Sequence, residues 1–190
     1  MRRTFRSRAH DQRGAALVEF ALVIIPLLML ILGAVTGGLA YNRKITLTDA
    51  ARVAARYATT HAIPGGWSPL ETPPCTTTPA SSPLGEWLVD VACYAIPNAQ
   101  GELDEGTSGR MICVAYIPPS GLSSMLEWGT SNTGSITTGH SCPGATPPAS
   151  ISDTIVEVVV ERTANLDAVV WNHTLTLTSA AFGRCENCSV

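Results

Sequence analysis

Apolar positions fall along the chain in three different rhythms, and each predicts a different element. From Ala15 to Ala40 they are nearly continuous, with Glu19 the one ionisable side chain in the run. A helix of that length rises far enough to cross the roughly 30 Å hydrocarbon core of a bilayer. From Leu47 the rhythm becomes helical, with Leu47, Ala50, Ala51, Ala54 and Ala58 on one face and Arg52 and Arg56 on another, so one long helix is expected over 15–60. Pro26 removes a backbone donor within it, and Gly33, Gly37 and Gly38 follow. Residues 61–83 hold eight Pro or Gly among Ser and Thr, and read as a loop.

Beyond the loop the rhythm shortens towards a period of two. Leu88 to Ile96 and Met111 to Ile117 read as short β-strands of a hairpin around the polar segment Pro97 to Arg110. Thr154 to Arg162 alternates Val156, Val158 and Val160 with Glu157, Val159 and Glu161, a strand with one buried and one mostly wet face. His173 to Phe182 alternates likewise, with Leu175 and Leu177 inward and Thr174, Thr176 and Thr178 outward, and 163–172 join the two. Pro118 to Ser150 reads as a second loop, with Leu122, Met125, Leu126 and Trp128 as packing anchors. The expected fold class is α+β, one long helix laid on an antiparallel β-sheet.

Charge adds a direction to this picture. Arg2, Arg3, Arg6, Arg8 and Arg13 precede the apolar run against the single acid Asp11, which places the N-terminus in the cytoplasm and the chain after Tyr41 outside it. Charged residues make up only 14% of the chain and the net charge is −3, which argues against nucleic acid as a partner. All six cysteines, Cys75, Cys93, Cys113, Cys142, Cys185 and Cys188, follow the apolar run and read as candidates for up to three disulfides in an oxidising compartment. Six cysteines allow fifteen pairings, among which the sequence does not choose; pairing the two short strands about a turn near Leu103 sets Cys93 opposite Cys113, at about 4.5 Å in a non-hydrogen-bonded pair, so a cross-strand bridge between them is one that the geometry allows.

Glu19 carries the sharpest functional information. A charged side chain in a lipid-facing helix costs about 2.5 kcal/mol or more and is rarely kept without a partner. The segment Arg13-Gly14-Ala15-Ala16-Leu17-Val18-Glu19-Phe20 has a basic leader ending in Gly, a small apolar first residue, Glu fifth and Phe sixth. It resembles the signal of type IV prepilins and pseudopilins, and more narrowly the TadE-like pseudopilins of the tight-adherence (Flp) pilus, which share the RGxxxVEFAL…P pattern. The resemblance implies a pilin-like architecture and cleavage between Gly14 and Ala15 by a prepilin peptidase. It also implies an assembly role for Glu19 and Phe20, with the Glu19 carboxylate meeting the new amino terminus of Ala15 in a neighbouring subunit. Partners would be that peptidase, other pilin subunits, the assembly platform and the membrane through residues 15–40.

The expected organisation is a leader at 1–14, the helix at 15–60, and an extracytoplasmic antiparallel β domain at 61–190. Signal peptidase cleavage after Gly38-Leu39-Ala40 is the ordinary alternative, but the apolar run exceeds a normal signal core and contains Glu19. The competing function is an uncleaved single-pass anchor carrying an outer binding or adhesion domain. Other chemistry finds little support. Cys185-Glu186-Asn187-Cys188 is a lone CxxC without a second pair, which favours a disulfide over a redox or metal site. His10, His61, His140 and His173 are scattered with no nucleophile pattern, and the acidic segment Gln100 to Gly106 lacks EF-hand spacing and reads as a solvated turn. No cofactor, no metal and no catalytic residue is expected.

Overall fold

A computed structural model of the chain describes residues 11–61, 63, 82–104, 107, 109–119, 124–128, 134–137, 142–143, 152–168 and 171–185. Its first element is α1, Asp11–Thr60, which runs without interruption through Pro26. At 1.5 Å per residue, fifty residues make a rod of about 75 Å. The apolar half stands clear of the rest of the molecule, with Leu17, Leu22 and Leu30 each about 70% exposed. The second half packs: Leu47, Ala50, Ala51, Ala54 and Ala58 are fully buried, on the face that their spacing predicts.

The run from Leu88 to Ile96, expected as a strand, lies instead in a second helix. This is α2, Pro83–Ala95. Ser82 caps it by accepting a hydrogen bond from the Gly85 amide at 3.1 Å, and Pro83 occupies the first turn, where a missing N–H costs nothing. Leu84, Trp87, Leu88, Val91, Ala92 and Ala95 then fall at i, i+3, i+4, i+7, i+8 and i+11 and are all buried. A 3-10 turn, Pro97–Ala99, ends in Gln100 and Gly101 with positive φ, and reverses the chain towards the sheet.

Among the described residues five strands form one antiparallel sheet: β1 (Arg110–Ile117), β2 (Ser124–Trp128), β3 (Gly134–Thr137), β4 (Thr154–Ala168) and β5 (Trp171–Cys185). Their order is β3-β2-β1-β4-β5, so the sheet is built outward on both sides of β1. Strands β2 and β3 lie within the stretch read as a second loop. The segment 163–172, expected as a connection, also proves largely strand, since β4 and β5 stay paired out to Ala168 opposite Trp171.

Both helices cover one face of the sheet. Ile112, Val114 and Tyr116 of β1 stand opposite Val160, Val158 and Val156 of β4, and all six join the core beneath α1 and α2. The other face was expected to be mostly wet along β4. It is not: Glu157 and Val159 are fully buried there, and Val159 clusters with Cys113, Ala115, Ile117 and Cys142.

That second cluster overturns the expected Cys93–Cys113 bridge. Cys93 sits on α2 in the helix-side core, whereas Cys113 points to the far face, so the sheet lies between them. Cys113 is bonded to Cys142, with Cα atoms 5.6 Å apart. Cys93 and Cys185 are disulfide-bonded as well; Cys75 and Cys188 lie outside the described residues.

Candidate assembly surface

The residues singled out by the sequence lie together at the start of α1. Gly14, Ala15, Glu19 and Phe20 are all exposed, Phe20 at 63%. Ala15 and Glu19 are one turn apart, so they stand on the same side of the helix. None of the four reaches the folded head. Farther along, a Cβ placed at Gly33, Gly37 or Gly38 would meet nothing within 4 Å, so this flank is open to close approach by another helix.

At the other end of the apolar run, α1 is fastened to the head by polar groups and one close backbone contact. Lys44 Nζ donates to the Thr178 carbonyl, and the hydroxyls of Thr48 and Ser179 lie 2.9 Å apart. At Gly183 a Cβ would lie 2.7 Å from the Ala55 carbonyl oxygen and 2.6 Å from Thr59 Cγ2, so only glycine lets helix and strand approach this closely. Glu102, in the acidic segment expected to be a solvated turn, meets Arg43 Nε at 3.2 Å and Arg162 Nε at 3.4 Å. It thereby braces the reversing chain against α1 and β4 at once. The next residue, Leu103, is fully buried, and its carbonyl accepts a 2.5 Å bond from the buried Arg110 Nη1.

Between the helices lies an aromatic column. Tyr57 stacks on His61 and on Tyr94, each at 4.3 Å between ring centroids, and Trp87 Nε1 donates to the His61 carbonyl at 2.7 Å. Burial raises the Tyr57 phenol above its ordinary pKa of 10.0, and the nearby Asp90 and Tyr94 push the same way. The phenol is thus a neutral packing group at physiological pH. His173 is exposed on β5, while His10 and His140 lie outside the described residues.

The described residues hold no group of His, Cys, Asp and Glu that could bind a metal ion. Cys185, the first cysteine of the CxxC, is in disulfide linkage rather than a free thiol. What the site offers is surface: a bare apolar rod with a carboxylate near its start, rigidly joined to a head.

Comparison with known families bears on this rod. Residues 14–56 match the family model described as TadE-like protein. The N-terminal segment is TadE-like. The match starts at Gly14 and ends inside the packed half of α1, so it takes in Glu19, the apolar run and the first buried alanines. It supports a Tad-pilus-associated protein, in a family of pilin-type structural components. Searches of curated proteins and of solved structures found no match. The head beyond residue 56 therefore stands outside the TadE-like match and is described by its own geometry alone. Within that match, α1 is also the candidate membrane span, with none of its most apolar stretch buried in the fold.

Proposed function

We propose that this protein is a TadE-like minor pilin or pseudopilin, processed after Gly14 and working by assembly rather than by chemistry of its own. The observation that carries the reading is the family match over residues 14–56, which opens at the glycine of the proposed cleavage site and takes in the whole bare half of α1. In this reading the helix is seated in the cytoplasmic membrane with its N-terminus in the cytoplasm, and the head faces outward. Removal of the leader by a prepilin peptidase frees the amino group of Ala15. The Glu19 carboxylate of one subunit then meets that group in a neighbour as the apolar helices bundle, which supplies the cationic partner that a charge in lipid requires. The assembly platform of the pilus extracts and orders these subunits, and the head is what the filament or its initiating complex displays.

N-terminal sequencing and intact mass of the membrane-extracted protein test the processing step. Co-expression with a prepilin peptidase should give a mature chain that begins at Ala15, and Gly14→Val should keep the leader attached. A native terminus at Met1 would sink the proposal and favour an uncleaved anchor with an outer binding domain.

A further inference from the structure

Where α1 passes β4, a cleft of about 340 Å³ lies between Arg43, Gly109, Arg162, Thr163, Ala164 and Asn165. Among the described residues its lining holds two guanidiniums and no carboxylate. Glu102 meets both guanidiniums at their Nε atoms but stands outside that lining. Neither arginine can lose its proton, so one carboxylate shared between the two leaves the group with a positive charge.

The fold fixes the walls of this cleft. The Thr163 amide donates to the Gly109 carbonyl at 2.7 Å. Gly109, at a φ of 70°, comes so near that an added Cβ would lie 2.7 Å from Thr163 Cβ. The Thr174 hydroxyl donates to Asn165 Oδ1 at 3.4 Å, which leaves the amide NH2 of Asn165 as a donor at the rim. The Arg162 side chain is 17% exposed and that of Arg43 is 41%, so the first belongs to the wall and the second can swing onto a ligand.

The position of the cleft along α1 indicates what it meets. Arg43 stands three residues past Ala40, where the apolar run ends, and three residues rise about 4.5 Å along the helix. The headgroup layer of a bilayer is about 6 Å deep on each side of its hydrocarbon core. With the apolar run in that core, the cleft lies at the depth of the lipid phosphates. Tyr41, two residues before Arg43, is 68% exposed, and its amphipathic ring suits the same layer.

We propose that this cleft binds the phosphodiester of an anionic phospholipid, with Arg43 and Arg162 as its cationic pair and Thr163 and Asn165 as polar donors beside them. This rests on the membrane-seated reading of α1 given above. A guanidinium presents a planar fork of donors that matches two phosphate oxygens at once. The volume is at the small end of the range for ligand pockets, enough for a glycerophosphate headgroup and too little for a folded partner. The acyl chains of such a lipid lie along the bare apolar half of α1. Lipid suits the cleft better than an acidic side chain of a second copy, because its depth beside the apolar run is set within one molecule.

The test uses the full chain in dodecyl maltoside micelles, titrated with phosphatidylglycerol and read by native mass spectrometry of the lipid-bound species. Arg43→Gln should weaken the tightest lipid binding about fivefold, the usual share of one basic side chain at an anionic membrane surface. Glu102→Gln breaks the same brace yet keeps both guanidiniums, so it should bind the lipid at least as tightly as the unaltered protein. Equal binding by the unaltered protein and Arg43→Gln overturns the proposal. So does a Glu102→Gln protein as weak as Arg43→Gln, which would assign the loss to the brace. Inorganic phosphate that displaces the lipid at matching concentrations also overturns it, and makes the cleft a site for soluble anions. Carbonate washing of phosphatidylcholine–phosphatidylglycerol vesicles keeps the two readings apart: release of the protein defeats the membrane seat itself, whereas retention without an Arg43 effect on lipid binding defeats only this site. Retention of the Cys113–Cys142 linkage in the peptide map shows that each variant is folded.

Discussion

The two halves of α1 are both rich in apolar residues, yet one buries nothing and the other buries a whole face. From Leu17 to Leu39 the side chains are large, mostly Leu, Ile, Val and Met, and stay exposed. From Ala50 to Ala58 the buried ones are almost all alanine. Large side chains fill a fluid solvent without needing a shaped partner, whereas small ones let a backbone come within touching distance of a fixed one. The helix is thus one continuous rod written for two solvents, lipid first and protein afterwards.

Four substitutions separate the halves. Glu19→Ala should have the largest effect, leaving membrane insertion intact, because the span becomes more apolar, while abolishing piliation by electron microscopy; normal filaments would deprive the carboxylate of an assembly role. Leu47→Ala should cost about 3 kcal/mol of head stability, the usual size of a buried Leu truncation, whereas Leu30→Ala should leave the melting of the head unchanged. Equal effects in thermal melts followed by circular dichroism would erase the contrast between the halves. Gly183→Val should cost about 2 kcal/mol by forcing α1 off β5, and protease cleavage within α1 past residue 44 should accelerate with it.

Tyr57→Phe tests the smallest effect and has a defined sign. Because the folded phenol titrates above 10.0, its contribution to stability is fully present below that pH and is lost as pH rises through the raised value. Stability of the unaltered head should thus fall as pH climbs past 10, and Tyr57→Phe should flatten that alkaline limb while leaving neutral pH nearly unchanged. Urea melts along a pH series would show it.

How much of this could be read from the sequence depended on whether the relevant partners were local. The buried stripe of α1 and the strands around Val158 and Leu177 were legible, because their periods repeat within a short window. Helix α2 was not, because the run that starts at Leu88 lacks the first turn from Leu84, and the Ser82-Pro83 start signal stands at the end of a Pro- and Ser-rich stretch. The misplaced Cys93–Cys113 bridge followed from that one error. Strands β2 and β3 lie among Ser, Gly and Thr, where pairing with β1 overrides weak local preference. Glu102 looked like a solvated acid, since nothing near it in sequence announces Arg43 or Arg162. On the apolar rod, Gly14, Ala15, Glu19 and Phe20 are grouped by a pattern that spans only eight residues from Arg13, and their role rests on that pattern until the substitutions above are made.

The common direction of α1 and β5 also has a mechanical meaning. Strand β5 runs the same way as α1, since Lys44, Thr48 and Ala55 meet Thr178, Ser179 and Gly183 in turn; were the protein built into a filament as proposed, a pull along the rod would enter the head through this seam. Since the two elements run side by side, the load falls in shear on every fastening at once, where a seam peeled from one end would yield them in turn. The Glu102 brace, which ties Arg43 to Arg162, links that seam to β4 as well.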